Sequence, residues 1–268
     1  MKTTTLDEEP QSRLALVSGA TGGIGRAICA RLLADGLRVV MLGRDEAKLG
    51  RARDALAGAE SAQRLFMQVI DIGDPASVTQ AVAQMVARFG GLTDLVHAAG
   101  DGPVAALLET TDGLWHDTVN GKMLGTIRLT RAVAADMVLR RAGRIVIVNG
   151  VFSAEPDPLF PINSTVNCGL AGFAKAISRD LGRQGIRVNV VSPGVTVTPL
   201  WDDTARVLAA RFGISPAAVN DQIQERTPLG RLASPADVAG AVAFMLSPQA
   251  GFINGATINV DGGFTAAV

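Results

Sequence analysis

Tyrosine is absent from this 268-residue chain. No phenol is therefore available anywhere in it as an acid or base, a role phenols can take once an environment shifts them from an ionisation near ~10. Histidine and cysteine are almost as scarce, with two of each. Cys29 and Cys168 fall in helical patterns without metal or disulfide spacing, so both read as packing residues in a reducing compartment. His97, at a strand end, reads as a packing residue and His116 as a solvated helix residue. Net charge is missing too: 25 basic residues balance 25 acidic ones, which removes any general electrostatic case for nucleic acid or an anionic membrane. No apolar run approaches membrane-spanning length. Residues 1–12 are polar and acidic, lack the apolar core of a signal peptide and are expected to form a disordered tail on a cytoplasmic protein. No repeat, low-complexity tract or linker divides the remainder, so residues 13–268 are expected to form one domain.

What is present is a regular alternation. Nearly half of the residues are apolar, enough for a large core. Leu14 to Val17, Leu37 to Leu42, Arg64 to Ile70, Thr93 to His97, Gly143 to Val148 and Ile186 to Asn189 are short apolar runs of the kind that form strands buried on both faces. Helical patterns separate them, including Pro75 to Phe89, one long helix over Asp112 to Arg140 and a helix after Asn167 with Leu170, Phe173, Ile177 and Leu181 on one face. Strand–helix–strand repeats of this length imply right-handed crossovers and a parallel sheet. The expected fold is α/β, a Rossmann-like doubly wound parallel sheet of about seven strands with helices on both faces.

The first strand runs into Ser18-Gly19-Ala20-Thr21-Gly22-Gly23-Ile24-Gly25 and then a helix. Glycines in that place allow a tight turn and a close approach of backbone to a ligand, and the helix N-terminus turns free N–H groups toward phosphate. Strand, glycines, helix and second strand together point to a dinucleotide, NAD(P). After the second strand stands Gly43-Arg44 where a carboxylate would hold the adenine ribose hydroxyls, and an arginine suits a 2′-phosphate, so NADP is favoured over NAD.

From Leu14 to Phe264 the chain resembles the short-chain dehydrogenase/reductase family. The resemblance implies a cofactor site of Gly19, Thr21, Gly23, Ile24, Gly25, Arg44, Asp71, Ile72, Ala99, Gly100, Pro193, Gly194 and Thr198, with Asp71 near the adenine and the segment from Pro193 to Thr198 near the nicotinamide carboxamide. Thr227-Pro228-Leu229-Gly230-Arg231 and Asn259-Val260-Asp261-Gly262-Gly263 look like the family's closing signature, and the stretch over about 199–226 like its substrate lid.

The family's reacting groups are another matter. Its tyrosine exchanges a proton with the substrate oxygen, a lysine four residues later lowers the phenol's pKa, a serine thirteen residues before the tyrosine orients the carbonyl, and an asparagine on the preceding long helix supports a proton relay. Register from Ile186-Arg187-Val188-Asn189 places Asn163 at the tyrosine position and Asn167 at the lysine position, and independent register from Gly143-Arg144-Ile145-Val146 places Gly150 at the serine position. Register from Trp115 and Gly125 places Lys122 at the relay position, with Asn120 two residues away, so Lys122 and Asn167 look like the Lys/Asn exchange of polyketide-synthase ketoreductases. A carboxamide cannot exchange a proton at useful pH. Loss of a positioned acid/base costs on the order of 10²–10⁴ in rate, and loss of the oxyanion hydrogen bond about 3 kcal/mol more.

Two expectations follow for function. One is a non-catalytic subunit, retained for assembly in a dimer or tetramer with itself or with an active relative whose site handles the small-molecule substrate, any bound cofactor being structural. The other is an NAD(P)-dependent oxidoreductase interconverting hydroxy and keto groups through a site rewired around Lys122, the electrophile or proton source, with Asn163 and Asn167 positioning the oxygen.

Overall fold

The computed structural model of the protein describes residues 13–58 and 62–267, so the tail expected over residues 1–12 lies outside the described residues. The strands are β1 (Leu14–Ser18), β2 (Arg38–Gly43), β3 (Leu65–Val69), β4 (Asp94–His97), β5 (Gly143–Val148), β6 (Ile186–Pro193) and β7 (Thr257–Val260). The helices are α1 (Gly23–Ala34), α2 (Glu46–Leu56), α3 (Pro75–Phe89), α4 (Asp112–Thr118), α5 (Gly125–Arg140), α6 (Pro161–Arg183), α7 (Pro199–Phe212), α8 (Pro216–Arg226) and α9 (Pro235–Leu246). All seven strands pair in parallel in the order β3-β2-β1-β4-β5-β6-β7, the doubly wound sheet expected from the sequence.

The strands read as continuous apolar runs because both faces are covered. Leu14 and Leu16 of β1 and Val40 and Leu42 of β2 point into a core shared with α3, α5 and α6. Their neighbours Ala15, Val17, Val39 and Met41 point the opposite way into a core shared with α1, α2 and α9. Period-two alternation in a strand feeds both layers, and each such aliphatic side chain, fully withdrawn from water, contributes roughly 1.5–3 kcal/mol. Cys29 belongs to the second core, where burial pushes its thiol up to about 12. Cys168 departs from expectation: it is exposed on α6 and not a packing residue. It sits two residues before Leu170, about half a helical turn from the buried stripe.

At the amino ends of the strands, one carboxylate pairs with two guanidinium groups. Arg13 clasps Asp94 through Nε (3.1 Å) and Nη2 (2.7 Å), and Arg144 approaches the same carboxylate at 3.5 Å. Arg13 and Arg187 also donate to the Leu246 and Met245 carbonyls at the end of α9 (2.8 and 2.9 Å). Burial, with Arg144 alongside, lowers Arg187 to about 10. Carbonyls at a helix C-terminus need such donors, and a cation there also complements the helix dipole.

Two features shape the other end. The helix expected over Asp112 to Arg140 is not uniform: a π-helical stretch, Val119–Leu124, separates α4 from α5. The extra residue per turn breaks the 3.6 period and re-aims side chains, a device common at functional sites. The stretch expected to be a lid forms a pair of helices, α7 and α8, each started by a capping hydroxyl followed by proline, Thr198-Pro199 and Ser215-Pro216. Phe160, Ala205, Leu208, Ala209 and Val219 give it a small core of its own, bordered by Trp201 and by Phe152, which stacks on Phe160. Arg211 clasps Glu109 across to the loop after β4 (2.8 Å to each oxygen).

Candidate functional site

Strand order reverses between β1 and β4, because the chain winds from β1 toward β3 and then returns to build outward from β4. Loops diverge at the carboxyl ends of such a pair and leave a crevice. Here it is a cleft of about 860 Å³, with Ser18, Gly19, Thr21 and Gly22 on one wall, Arg44, Asp71 and Ile72 at one end, and Ala99, Gly100, Asp101 and Lys122 at the other. Gly19 has φ +68°, and a Cβ on it would collide with the Ala98 carbonyl, so glycine is what lets the two loops touch. A Cβ on Gly25 would likewise strike the Gly19 carbonyl. The first turn of α1 has Gly22 at its cap with no side chain satisfying its N–H groups, and Ser18 Oγ is buried without a partner in the cleft wall. Free amides at a helix N-terminus beside a close-approach loop suit a pyrophosphate, and the cleft therefore fits a dinucleotide.

The cofactor residues named from the sequence are brought together unevenly. Gly19, Thr21, Arg44, Asp71, Ile72, Ala99 and Gly100 line the cleft. Gly23 faces Thr198, whose Cγ2 would lie 2.6 Å from a Cβ on Gly23, while the Thr198 hydroxyl caps α7. Ile24 turns into the core behind α1. Pro193 ends β6, and Gly194 packs on Asp261 of the closing segment; Leu229 donates to the Gly262 carbonyl (3.2 Å), joining the two parts of that signature. Asp45 is committed elsewhere: its carboxylate caps α2 by accepting from the Lys48 N–H (2.9 Å), which holds it below the usual carboxylate range. Arg44 is thus the charged group that the end of β2 offers to the cleft.

Of the four positions registered to the family's reacting groups, Gly150 and Asn167 meet directly, and Asn163 and Lys122 flank the loop from Gly100 to Gly102. Asn167 Nδ2 points at the Gly150 carbonyl (3.5 Å), and Asn149 donates to the Asn167 carbonyl (2.9 Å). Asn163 donates to the Gly102 carbonyl (3.2 Å) and to Asp101 Oδ1 (3.4 Å). Both carboxamides are buried, and their Oδ1 atoms have no hydrogen-bond partner. Lys122 stands opposite, on the π-helical stretch, its Cβ 2.8 Å from where a side chain on Gly100 would begin. The side chain is 5% exposed, and among the described residues no carboxylate comes within ion-pair distance of its ammonium. Burial lowers its pKa, with Asp101 pulling the other way. Asn120 does not join this group; it bonds the Gly73 carbonyl and Arg128. Ser153 bonds the Gly150 carbonyl and Ser164 accepts from the Asp157 N–H, so neither hydroxyl is engaged with a base.

Sequence reasoning missed Asp101. It is exposed and lines the cleft just after Gly100, and desolvation raises its carboxyl above the usual range, with Lys122 and a Gly102 N–H opposing. Its one sequence signal is a carboxylate in a loop at a strand's carboxyl end, where open α/β sheets bind ligands. The two histidines stay outside. His97 is buried, with Nε2 2.8 Å from Thr130 Oγ1, and burial lowers its pKa to about 3; His116 is exposed beside Asp117.

A family profile described as enoyl-(acyl carrier protein) reductase matches residues 19–265. The chain belongs to the short-chain dehydrogenase/reductase family. Within this family it is 32% identical to a 3-oxoacyl-(acyl-carrier-protein) reductase of Salmonella typhimurium, over 94% of this chain and 97% of that one. It is 31% identical to a subunit of a hydroxy(phenyl)methylsuccinyl-CoA dehydrogenase of Thauera aromatica, over 94% and 96%. A crystal structure of an actinorhodin polyketide ketoreductase variant with NADPH superposes with a TM-score of 0.89 at 32% identity, covering 96% of this chain and 98% of that one. Among the described residues of this short-chain dehydrogenase/reductase, no helix is long and apolar enough to cross a membrane.

Proposed function

We propose that the protein is an NADP(H)-dependent oxidoreductase that interconverts a ketone and a secondary alcohol without a phenol, its Lys122 ammonium stabilising the negative charge that develops on the substrate oxygen. The observation that carries this reading is the lysine itself. Burying an ammonium without a direct ion pair costs several kcal/mol, and the wall of an assembly-only scaffold has no use for that cost. A desolvated cation on the wall of a ligand cleft is what oxyanion stabilisation requires, because its field is weakly screened there.

The dinucleotide, when bound, supplies or accepts the hydride. Gly19, Thr21 and the first turn of α1 would hold its pyrophosphate, Asp71 and Ile72 its adenine, and Arg44 a 2′-phosphate. Asn163 and Asn167 would orient the oxygen by hydrogen bonding. The reductase names of the relatives agree with a carbonyl substrate, and the apolar lid with a bulky one.

The test is reduction of acetoacetyl thioesters by the purified chain with NADPH, compared with Lys122→Met. Turnover that falls on the order of 10²-fold or more in the variant, with NADPH affinity retained, supports the reading; turnover indifferent to Lys122 removes it.

A second reading has its own support. Glycine stands at the serine position, buried carboxamides fill the tyrosine and lysine positions, and one relative is named as a dehydrogenase subunit. In that reading the chain is a non-catalytic partner of an active family member. Native mass spectrometry of the chain expressed with its chromosomal neighbours tests it: a mixed oligomer whose activity resides wholly in the other subunit would favour this alternative.

A further inference from the structure

We infer that Asp101 is the proton donor and acceptor that replaces the missing phenol, working beside the Lys122 ammonium from the opposite lip of the substrate site. This inference rests on the oxidoreductase reading above and supplies the proton that reading lacks.

The argument is geometric. The family's tyrosine position is held here by Asn163, a shorter side chain whose amide turns back to the Gly102 carbonyl and leaves unused the reach a phenol would have. Asp101 Oδ1 lies 3.4 Å from that same amide, so a carboxyl group stands next to the tyrosine position. A Cβ on Gly102 would collide with Asn163 Oδ1; glycine at 102 therefore lets the Asp101 loop close on α6. On the other side Gly100, with φ +93°, lets the same loop press on Lys122, where any Cβ would lie 2.8 Å from the lysine Cβ. Two glycines thus hold Asp101 between Lys122 and Asn163, with Asp101 and Lys122 both lining the cleft.

The groups facing the carboxyl are few. Among the described residues, the π-helical stretch contributes Lys122, α6 the neutral amide of Asn163, and the loop a Gly102 N–H. Asp71, Asp74 and Asp117 line the same cleft without acting on Asp101, and the acid–cation pair is therefore local. Asp101 is exposed at the cleft, yet desolvation by its neighbours raises the carboxyl and Lys122 restrains the rise. Such opposed environments mark acid/base pairs in active sites.

The step balances. In reduction, the substrate's C=O π bond breaks as its carbon gains the hydride from the reduced dinucleotide. Its oxygen forms an O–H bond with the proton of Asp101, whose own O–H bond breaks to leave a carboxylate, and water returns the proton. In oxidation the carboxylate takes the hydroxyl proton. The ammonium of Lys122 stays protonated throughout and balances the oxyanion.

The experiment compares wild type with Asp101→Asn, Asp101→Glu and Lys122→Met, using NADPH and an acetoacetyl thioester, and follows the aspartate carboxyl carbons by 13C NMR in the dinucleotide complex. Asp101→Asn is expected to lower kcat on the order of 10²–10⁴-fold with NADPH affinity unchanged. Asp101→Glu is expected to retain part of the rate and move the pH at which reduction fades. One carboxyl signal, missing from Asp101→Asn, is expected to titrate above the usual ~3.9. Dependence on Lys122 without dependence on Asp101 would leave the oxidoreductase reading standing and remove Asp101 from it. An Asp101 signal that titrates in the ordinary carboxylate range would overturn the inference, whatever the rate. A chain that reduces nothing would take both readings down.

Discussion

Asn167 fills the space that a side chain at Gly150 would need: its Nδ2 lies 2.8 Å from the point where a Cβ would stand. The family's serine and lysine positions are therefore coupled here by packing. Gly150→Ser is expected to lose about 1–3 kcal/mol of stability, the usual cost of overfilling a tight site, and to gain no activity. Adding Asn167→Ala should recover most of that loss, because contacting residues couple. Urea denaturation of the two single variants and the double variant measures the coupling; additive losses would mean that Asn167 moves aside freely.

Among the described residues Asp94 pairs with both Arg13 and Arg144, and it is 0% exposed. Asp94→Asn takes from buried Arg13 the carboxylate it clasps, which typically costs about 3–5 kcal/mol. The cleft lies at the opposite ends of the strands, so dinucleotide affinity of the folded variant should be unchanged. Urea midpoints and a cofactor titration separate the two effects, and a neutral substitution would show that the α9 carbonyls alone satisfy the arginines.

The sheet was legible in the sequence because burial on both faces turns β1, β2 and β5 into nearly continuous apolar runs between glycines and polar turns. Lys122 was legible by register, since Trp115 and Gly125 bracket it. The π-helical stretch that aims it was not, because six residues of altered pitch leave no trace in a period-3.6 pattern. Asp101 carries no periodicity at all. Its role comes from Gly100 and Gly102 on either side and from Asn163, 62 residues away, which only the folded chain assembles. Cys168 could have been placed correctly, because the stripe through Leu170, Phe173, Ile177 and Leu181 leaves it on the far face of α6.

Arg44 separates the two nicotinamide cofactors. Asp45 caps α2, so the guanidinium of Arg44 is the group free to meet a 2′-phosphate at the end of β2. Arg44→Ala is expected to weaken NADPH roughly 10-fold, the loss of about one charge-assisted contact, and to leave NADH affinity nearly unchanged. Calorimetry with both cofactors checks the ratio. Equal losses for the two would mean that Arg44 supports the loop and does not read the phosphate.

His97 ties stability to pH through a group that takes no part in the site. Its ring is buried on β4, bonded to Thr130, and desolvation lowers its pKa to about 3 from the 6.5 of an exposed imidazole. Between those values the unfolded chain binds a proton that the folded chain does not. The stabilising contribution is therefore complete above pH ~6.5, falls as the pH drops, and is exhausted near pH 3. Its slope is at most ~1.4 kcal/mol per pH unit. His97→Gln keeps a hydrogen-bonding group for Thr130 but cannot titrate, so its stability should fall less steeply between pH 6.5 and 4 than that of the wild type, even if it starts lower at pH 7.5. Urea denaturation at a series of pH values gives both slopes. Parallel slopes would show that the folded protein protonates His97 at no cost, and would place the acid sensitivity of this fold on its carboxylates instead.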